Sequence, residues 1–459
     1  MVFSDLFFIF VFIPVFALCY LLGAGLDKRT GKYTFRNFVL IIFSLVFYAW
    51  GEPSYVFLML FSVLINYLAG LRIAKAEGSR RKCFLALGVG VNLAMLFVFK
   101  YAGFAMRTVG LPDPDISLPI GISFYTFQAL SYLVDVYRRD TPVQKNFGGL
   151  LLYISLFPQL VAGPIVRYST IAEDIYGRKV TLADIEDGIF RFLIGLGKKV
   201  ILANQLFEVS STLLDGNLSQ LSPLGAAGGL LAFALQIYFD FSGYSDMAIG
   251  IGRCLGFRFP ENFNHPYCCT SVTDFWRRWH MTLGSFFRDY VYIPLGGNRR
   301  HQLLNILIVW FLTGFWHGAS WNFIVWGLWF GFFVAMEKYT LLRWKRFPVV
   351  LSRILALAVV YIGWGIFYFE DFSRMTEFYR SLFMGAGDTS MDATVLMNNG
   401  WLLLVALVLC LPVGKTISSI PMPKWSVTVG KSLVSILILL ISAALLVGAT
   451  NNAFIYTRF

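Results

Sequence analysis

Charge is what this sequence has least of: Asp, Glu, Lys and Arg make up 14% of its residues, against 57% that are hydrophobic. A soluble core does not need that much apolar surface, so a water-soluble globular enzyme is excluded. Cysteine is sparse too, with 6 in the chain (Cys19, Cys83, Cys254, Cys268, Cys269, Cys410) and no CxxC spacing among them. That rules against a disulfide framework and against a zinc or other metal site, and the vicinal pair Cys268–Cys269 reads as two small loop residues. There is no short-period repeat, no low-complexity tract and no linker long enough to part domains, so residues 1–459 read as a single membrane domain. Histidine is rare, at 4 residues. One of them, His317, stands in TGFWHGASWN between two apolar stretches, where an ionisable side chain is costly unless it faces a partner or a water-filled cavity.

What is present in quantity is apolar length. Stretches near the ~18–20 residues needed to cross hydrocarbon recur along the chain. They are Leu6–Ala24, Phe38–Trp50, Tyr55–Leu71, Cys83–Phe99, Leu118–Val134, Gly149–Val166, Gly188–Leu206, Gly225–Phe239, Leu303–Phe333, Ile354–Phe369, Trp401–Val413 and Ser432–Val447. Some are short or polar enough to dip in without crossing, so the expectation is an all-α polytopic protein of about eleven spans with short re-entrant or interfacial helices. The first stretch lacks a basic region ahead of it, carries Pro14 at its middle and shows no small-residue cleavage site before Asp27, so it reads as a retained span rather than a signal peptide.

The net charge of +12 lies in short loops, which points to lipid headgroups and not to nucleic acid. Lys28, Arg29, Lys32 and Arg36 follow the first stretch, and Arg72, Lys75, Arg80, Arg81 and Lys82 follow the third. The positive-inside rule makes both loops cytoplasmic and the N-terminus extracytoplasmic. Arg343, Lys345 and Arg346 mark a later inner loop, and the same count places the tail 450–459 outside.

Polar residues gather in four blocks. LPIGISFYTFQALSYLVDVYRR (118–139) mixes Ser123, Gln128, Ser131 and Asp135 into an aromatic helix. QIYFDFSGYSDMAIG (236–250) sets Asp240 and Asp246 in a stretch otherwise fit to span, with Gly243 as the expected break and pairing to arginines as their plain structural role. DFWRRWHMTLGSFFRDYVYIPLGGNRR (274–300) holds too many cations to cross lipid; Trp276, Arg277, Arg278 and Trp279 read as an interfacial helix with indoles at headgroup level. Arg277 and Arg278, with Trp276 beside them, also suit a coenzyme A donor, the cations meeting its phosphates. His280 closes that segment, and the block around His317 is the fourth. A neutral imidazole can take a proton from a hydroxyl nucleophile and return it to a thiolate leaving group.

LPIGISFYTFQALSYLVDVYR, QIYFDFSGYSDMAIGIGRCLGFRFPENFNHPY, DFWRRWHMTLGSFFRDYVYIPLGGNR and GFWHGASWNFIVWG resemble the membrane-bound O-acyltransferase (MBOAT) family. The likeness is to its bacterial branch of alginate and peptidoglycan O-acetyltransferase membrane subunits, and it extends over nearly the whole chain. The resemblance implies about eleven spans around a central funnel or tunnel. It implies that His317, in the WHG motif, is catalytic, and that His280, in the RRWH motif, supports it or orients substrate. It implies acetyl-CoA as a substrate on the cytoplasmic side with no bound cofactor, an exported SGNH-type partner enzyme, and an extracytoplasmic polysaccharide as final acceptor, all at a bacterial inner membrane. Beside His317, Trp316, Trp321 and Asn322 could supply N–H donors to a developing oxyanion, and Asp240 and Asp246 are further candidates for the tunnel.

The tail NNAFIYTRF matches an F-x-Y-x-x-F motif of this branch through Phe454, Tyr456 and Phe459, although Ala453, Thr457 and Arg458 depart from its usual residues. The motif implies Tyr456 as an acyl relay, and a phenol of pKa ~10 leaves an ester more readily than a sugar hydroxyl does. A simple hydrophobic anchor is the other reading of those aromatics. Two other classes of function remain open on the residues alone: a transporter or flippase of a lipid-linked glycan, and a non-catalytic scaffold. A transporter should show inverted repeats, and none is visible.

Overall fold

The computed structural model describes residues 1–340, 348–385 and 387–449, and all regular structure among them is helical. In chain order the principal helices are α1 Phe8–Thr30, α2 Thr34–Ala49, α3 Tyr55–Lys75, α4 Gly78–Thr108, α5 Ile122–Arg138, α6 Phe147–Ser155 and α7 Leu182–Gly197. They continue with α8 Asn204–Leu214, α9 Pro223–Leu255, α10 Val272–Arg278, α11 Met281–Phe287, α12 Gln302–His317 and α13 Trp321–Tyr339. The last are α14 Val349–Tyr368, α15 Thr389–Asn398, α16 Gly400–Cys410 and α17 Lys424–Leu446. The Tyr456 motif lies outside the described residues.

Among the described residues six helices (α1, α3, α4, α9, α14, α17) are long and apolar enough to cross a membrane, and α15 with α16 makes a seventh if their 60° bend is one broken span. The all-helical polytopic class is therefore as the sequence implies, but the apolar stretches divide into fewer full-length helices than the about eleven expected. The reason is length. The apolar helices α2 and α12 have 16 residues each. At about 1.5 Å per residue that is roughly 24 Å, short of a hydrocarbon layer of about 30 Å. Helix α9 is the most enclosed, with 83% of its apolar window buried against 17% for α1 and 11% for α17. Side chains such as Leu21 of α1 and Leu437 of α17 thus present exposed apolar faces suited to lipid. Gly243 does not interrupt α9, which runs unbroken for 33 residues; one helical glycine costs only about 1 kcal/mol against alanine, less than burial returns.

The described residues group into two compact units, one of Met1–Gly195 with Tyr244–Glu261 and one of Leu196–Gly243 with the residues described from Asn262 onward. In the first, Phe8 and Phe12 of α1 pack on Phe47 of α2 and on Phe157, with ring centroids 5.7–6.4 Å apart where these rings meet Phe157 and 5.8–5.9 Å where they meet Phe47. Asp27 of α1 pairs with Arg36 of α2 at 2.9 Å and accepts the Phe35 and Arg36 backbone N–H groups, which turns the chain between the two helices. Asn66 of α3 and Asn92 of α4 exchange hydrogen bonds of 3.0 and 2.8 Å, the polar adhesive that apolar helices use where the hydrophobic effect cannot discriminate partners.

In the second unit the Leu303–Phe333 stretch is two helices, not one span. α12 and α13 form an antiparallel hairpin that turns at Gly318–Ser320. Gly314 and Gly327 make the crossing possible: a Cβ on Gly314 would lie 3.1 Å from Gly327 Cα and collide with the Phe323 carbonyl. Only two hydrogens in that position let the backbones approach so closely. Glu337, buried on α13, accepts the N–H groups of Val272 and Thr273 at 2.6 and 2.8 Å and so holds the N-terminus of α10 against the hairpin. A carboxylate at a helix N-terminus satisfies donors that have no intrahelical partner and meets the positive end of the helix dipole.

Candidate active site

The hairpin turn carries His317. It is the last residue of α12, and the chain leaves it through an extended Gly318. The residue is only 3% exposed. Among the rings packed against it are Trp316 at 4.8 Å, Trp326 of α13 at 4.9 Å and Phe367 of α14 at 5.4 Å between centroids, all at steep angles. The Trp326 indole N–H is buried and has no hydrogen-bond acceptor among the described residues. It is a preorganised donor beside a base, the pairing that acyl transfer needs when an oxyanion develops.

His280 joins the same group. Trp316 stands between the two histidines, 5.9 Å from the His280 ring and 4.8 Å from that of His317. Phe241 of α9 meets His280 edge-on at 4.7 Å. His280 occupies the left-handed backbone region (φ 43°) in the break between α10 and α11. That conformation costs a non-glycine residue energy and persists only where surroundings enforce it. Asn262 is the enforcer: its backbone carbonyl accepts Met281 N–H at 3.0 Å, and its Oδ1 accepts Thr282 Oγ1 at 2.9 Å. His280 Nδ1 lies 3.0 Å from the same Oδ1. An oxygen that already accepts from Thr282 must accept from the imidazole too, so Nδ1 carries the proton and Nε2 keeps its lone pair. Burial pushes the His280 imidazole well below its ordinary value, which keeps it neutral.

Trp276 and Trp279 pack on other aromatic side chains of the second unit. Trp276 packs on Trp310, Trp326 and Phe330 with centroids 4.9, 5.4 and 4.7 Å away. Trp279 is fully buried and lies 4.8 Å from Trp364. The physical reason is the short helix: seven residues anchored by Glu337 at one end present their aromatic side to the α12–α13 hairpin. Of the two cations, Arg278 pairs with Asp274 one turn back at 2.9 Å, whereas Arg277 is exposed and has no ion pair among the described residues. Arg277 is thus the cation left available to an anionic ligand.

The remaining candidates have partners of their own. Asp240 is fully buried and pairs with Lys199 at 2.6 Å, a contact whose loss on one side typically costs about 3–5 kcal/mol. Asp246, in the first unit, binds Arg191 at 2.9 Å, and Arg191 also reaches Glu261. Both aspartates therefore have structural partners, and Asp240's is a lysine, not an arginine. Asn322 is buried with its amide donating to the Ile366 carbonyl at 3.3 Å, and Trp321 is half exposed. Among the described residues no group of three or more His, Cys, Asp or Glu side chains is placed to hold a metal ion. Sequence reasoning missed Asn262, Trp326, Phe367 and Lys199. None of the four left a signal of its role in the sequence.

Comparison with known proteins identifies the family. A family model described as the membrane-bound O-acyltransferase family covers residues 47–375, which include both histidines. The chain is 40% identical over 402 residues to the probable alginate O-acetylase AlgI of Azotobacter vinelandii, across 83% of this chain and 78% of the relative. It is 34% identical to the peptidoglycan O-acetyltransferase of Helicobacter pylori, across 80% and 77% of the two chains. It is also 29% identical to the teichoic acid D-alanyltransferase of Bacillus subtilis, across 56% and 70%. The chain belongs to the membrane-bound O-acyltransferase family and is a multi-pass membrane O-acyltransferase.

Proposed function

We propose that this acyltransferase moves an acetyl group from cytoplasmic acetyl-CoA to the far side of a bacterial inner membrane, for O-acetylation of an extracytoplasmic polysaccharide. His317 is the general base: it takes the proton of the attacking hydroxyl and delivers it to the departing thiolate, while the Trp326 N–H receives the oxyanion. His280, held as its Nδ1–H tautomer, positions the second partner through Nε2. Arg277 and Arg278 receive the donor phosphates. Tyr456 accepts the acetyl group as an aryl ester, and an exported SGNH-type enzyme collects it. Both termini lie outside. The observation that carries this reading is a single one: a buried histidine at the turn of an apolar hairpin, caged by rings, with a second histidine one ring away.

The energetics favour passing the acyl group alone. Taking coenzyme A through hydrocarbon would bury several phosphate charges, whereas a two-carbon acyl group is neutral. The transfer is an exchange of acyl esters and draws on no redox change. The names of the alginate and peptidoglycan relatives support acetyl and polysaccharide as the substrate classes. The test is sidedness. Inverted membrane vesicles given acetyl-CoA labelled on the acetyl group should accumulate label in a lumenal acceptor, and vesicles lacking the chain should not. Label confined to the outer, coenzyme side would overturn the proposal, and transport of intact glycan without label would favour a flippase.

A further inference from the structure

In the first unit a lysine and a serine lie within hydrogen-bond reach of each other. Lys100 sits on a π-helical turn, Phe97–Tyr101, inside the apolar helix α4. Such a turn redirects one side chain out of the regular helical register and is common at functional sites. The residue is 8% exposed and its Nζ donates to Ser123 Oγ at 3.3 Å. Ser123, 6% exposed, is the second residue of α5, a helix of 17 residues. The turn before it is fixed in place. Gly121 has φ 78°, and a Cβ there would come within 2.8 Å of the Leu160 carbonyl, so the backbone at this point requires glycine and cannot shift.

The start of α5 also supplies a donor. Ile122 N–H bonds the Pro119 carbonyl at 3.2 Å, and Phe124 and Tyr125 N–H bond that of Gly121 at 2.9 and 3.0 Å. The Ser123 N–H has no acceptor among the described residues. A hydroxyl, an amine within hydrogen-bond reach of it, and a free N–H of the nucleophile's own residue at the positive end of a helix are the parts of a serine–lysine acyl-transfer centre.

We propose that Ser123 is a second acyl-accepting nucleophile of this chain, with Lys100 as its base and the Ser123 N–H as oxyanion donor, acting on small acyl thioesters or esters. The step balances without any further reactant. A bond forms from Ser123 Oγ to the acyl carbon, and the donor's C–S or C–O bond breaks. The hydroxyl proton passes to the Lys100 amine and from it to the leaving group. Attack by an acceptor hydroxyl on the seryl ester reverses these transfers and restores Ser123.

The structural alternative is that Lys100 merely satisfies its amine on a nearby hydroxyl, and arginine separates the two roles because it keeps the cation and the donor but cannot serve as a base. The full chain, purified in detergent, is exposed to p-nitrophenyl acetate, acid-quenched and mapped by peptide mass spectrometry. Parallel work on His317→Ala separates this centre from the proposed one. The expectation is acetyl on Ser123 in the wild type and in His317→Ala, none in Ser123→Ala, and acetylation about 100-fold slower or worse in Lys100→Arg. No acetyl on Ser123 in the wild type, or an unchanged rate in Lys100→Arg, overturns the proposal.

Discussion

Asn262 offers the sharpest perturbation of the site, because the side chains of His280 and Thr282 both depend on its amide oxygen. Asn262→Ala removes the acceptor of the His280 Nδ1–H and of the Thr282 hydroxyl, which lie 3.0 and 2.9 Å from Oδ1. Each buried polar group stranded in this way costs about 1–3 kcal/mol, so with two of them the variant should lose roughly 2–6 kcal/mol of stability. It should also lose the fixed tautomer, and with it most acyl transfer. Asn262→Asp is the informative partner, since a carboxylate keeps every acceptor position and the fold should persist. It places a negative charge against the imidazole, which stabilises the imidazolium and raises its pKa. In the wild type, burial lowers the His280 pKa and holds it neutral across about pH 6–8. In the aspartate variant activity should be retained above the raised pKa and lost as pH falls through it. The assay is the pH profile of labelled acetyl transfer in detergent, read beside thermal unfolding. If the wild-type and Asn262→Asp profiles coincide, His280 Nδ1 is not bound as described.

Three further outcomes are expected. Trp326→Phe keeps the ring against His317 and removes only the buried indole N–H; kcat should fall by about 10-fold or more with KM little changed, as for loss of one oxyanion donor, and an unchanged kcat would remove Trp326 from that role. Neutralising Arg277 and Arg278 together should raise the KM for acetyl-CoA more than it lowers kcat, with Arg277→Ala alone giving most of the effect because Arg278 is tied to Asp274; lowered thermal stability with unchanged KM would assign them to anchoring. Tyr456→Phe keeps the ring and removes the phenol oxygen, so polymer acetylation should cease while donor binding persists; acetylation at the wild-type rate would make Tyr456 an anchor.

How far the sequence could be read depended on the range of the interactions. His317 and His280 were visible because an ionisable group in an apolar block is conspicuous by itself. The helical, membrane-embedded class followed from apolar length for the same reason. The hairpin at Gly318–Ser320 was hidden, because nothing in the run 303–333 tells that Gly314 will meet Gly327; that is a property of two backbones in contact. Trp276 shows the same limit. Its composition favours an interface, yet Glu337, 61 residues along the chain, fixes its helix so that the indole packs on Trp326. Asn262 and Lys199 were invisible as partners of His280 and Asp240, since spatial pairing across 18 and 41 positions leaves no periodic trace. The break expected at Gly243 failed for the opposite reason, a local preference overridden by the burial of α9.

The central claim is that His317 is the base that exchanges the acyl group, and it is tested most directly by acetyl transfer from labelled acetyl-CoA in purified His317→Ala and His317→Gln. Trp316, Trp326 and Phe367 pack against the imidazole, so the glutamine variant, of similar size, should stay folded and elute as the wild type does. The account predicts a fall in kcat of about 100-fold or more in both variants, the usual contribution of a positioned general base. Retention of more than about a tenth of wild-type transfer by a folded His317 variant would contradict it.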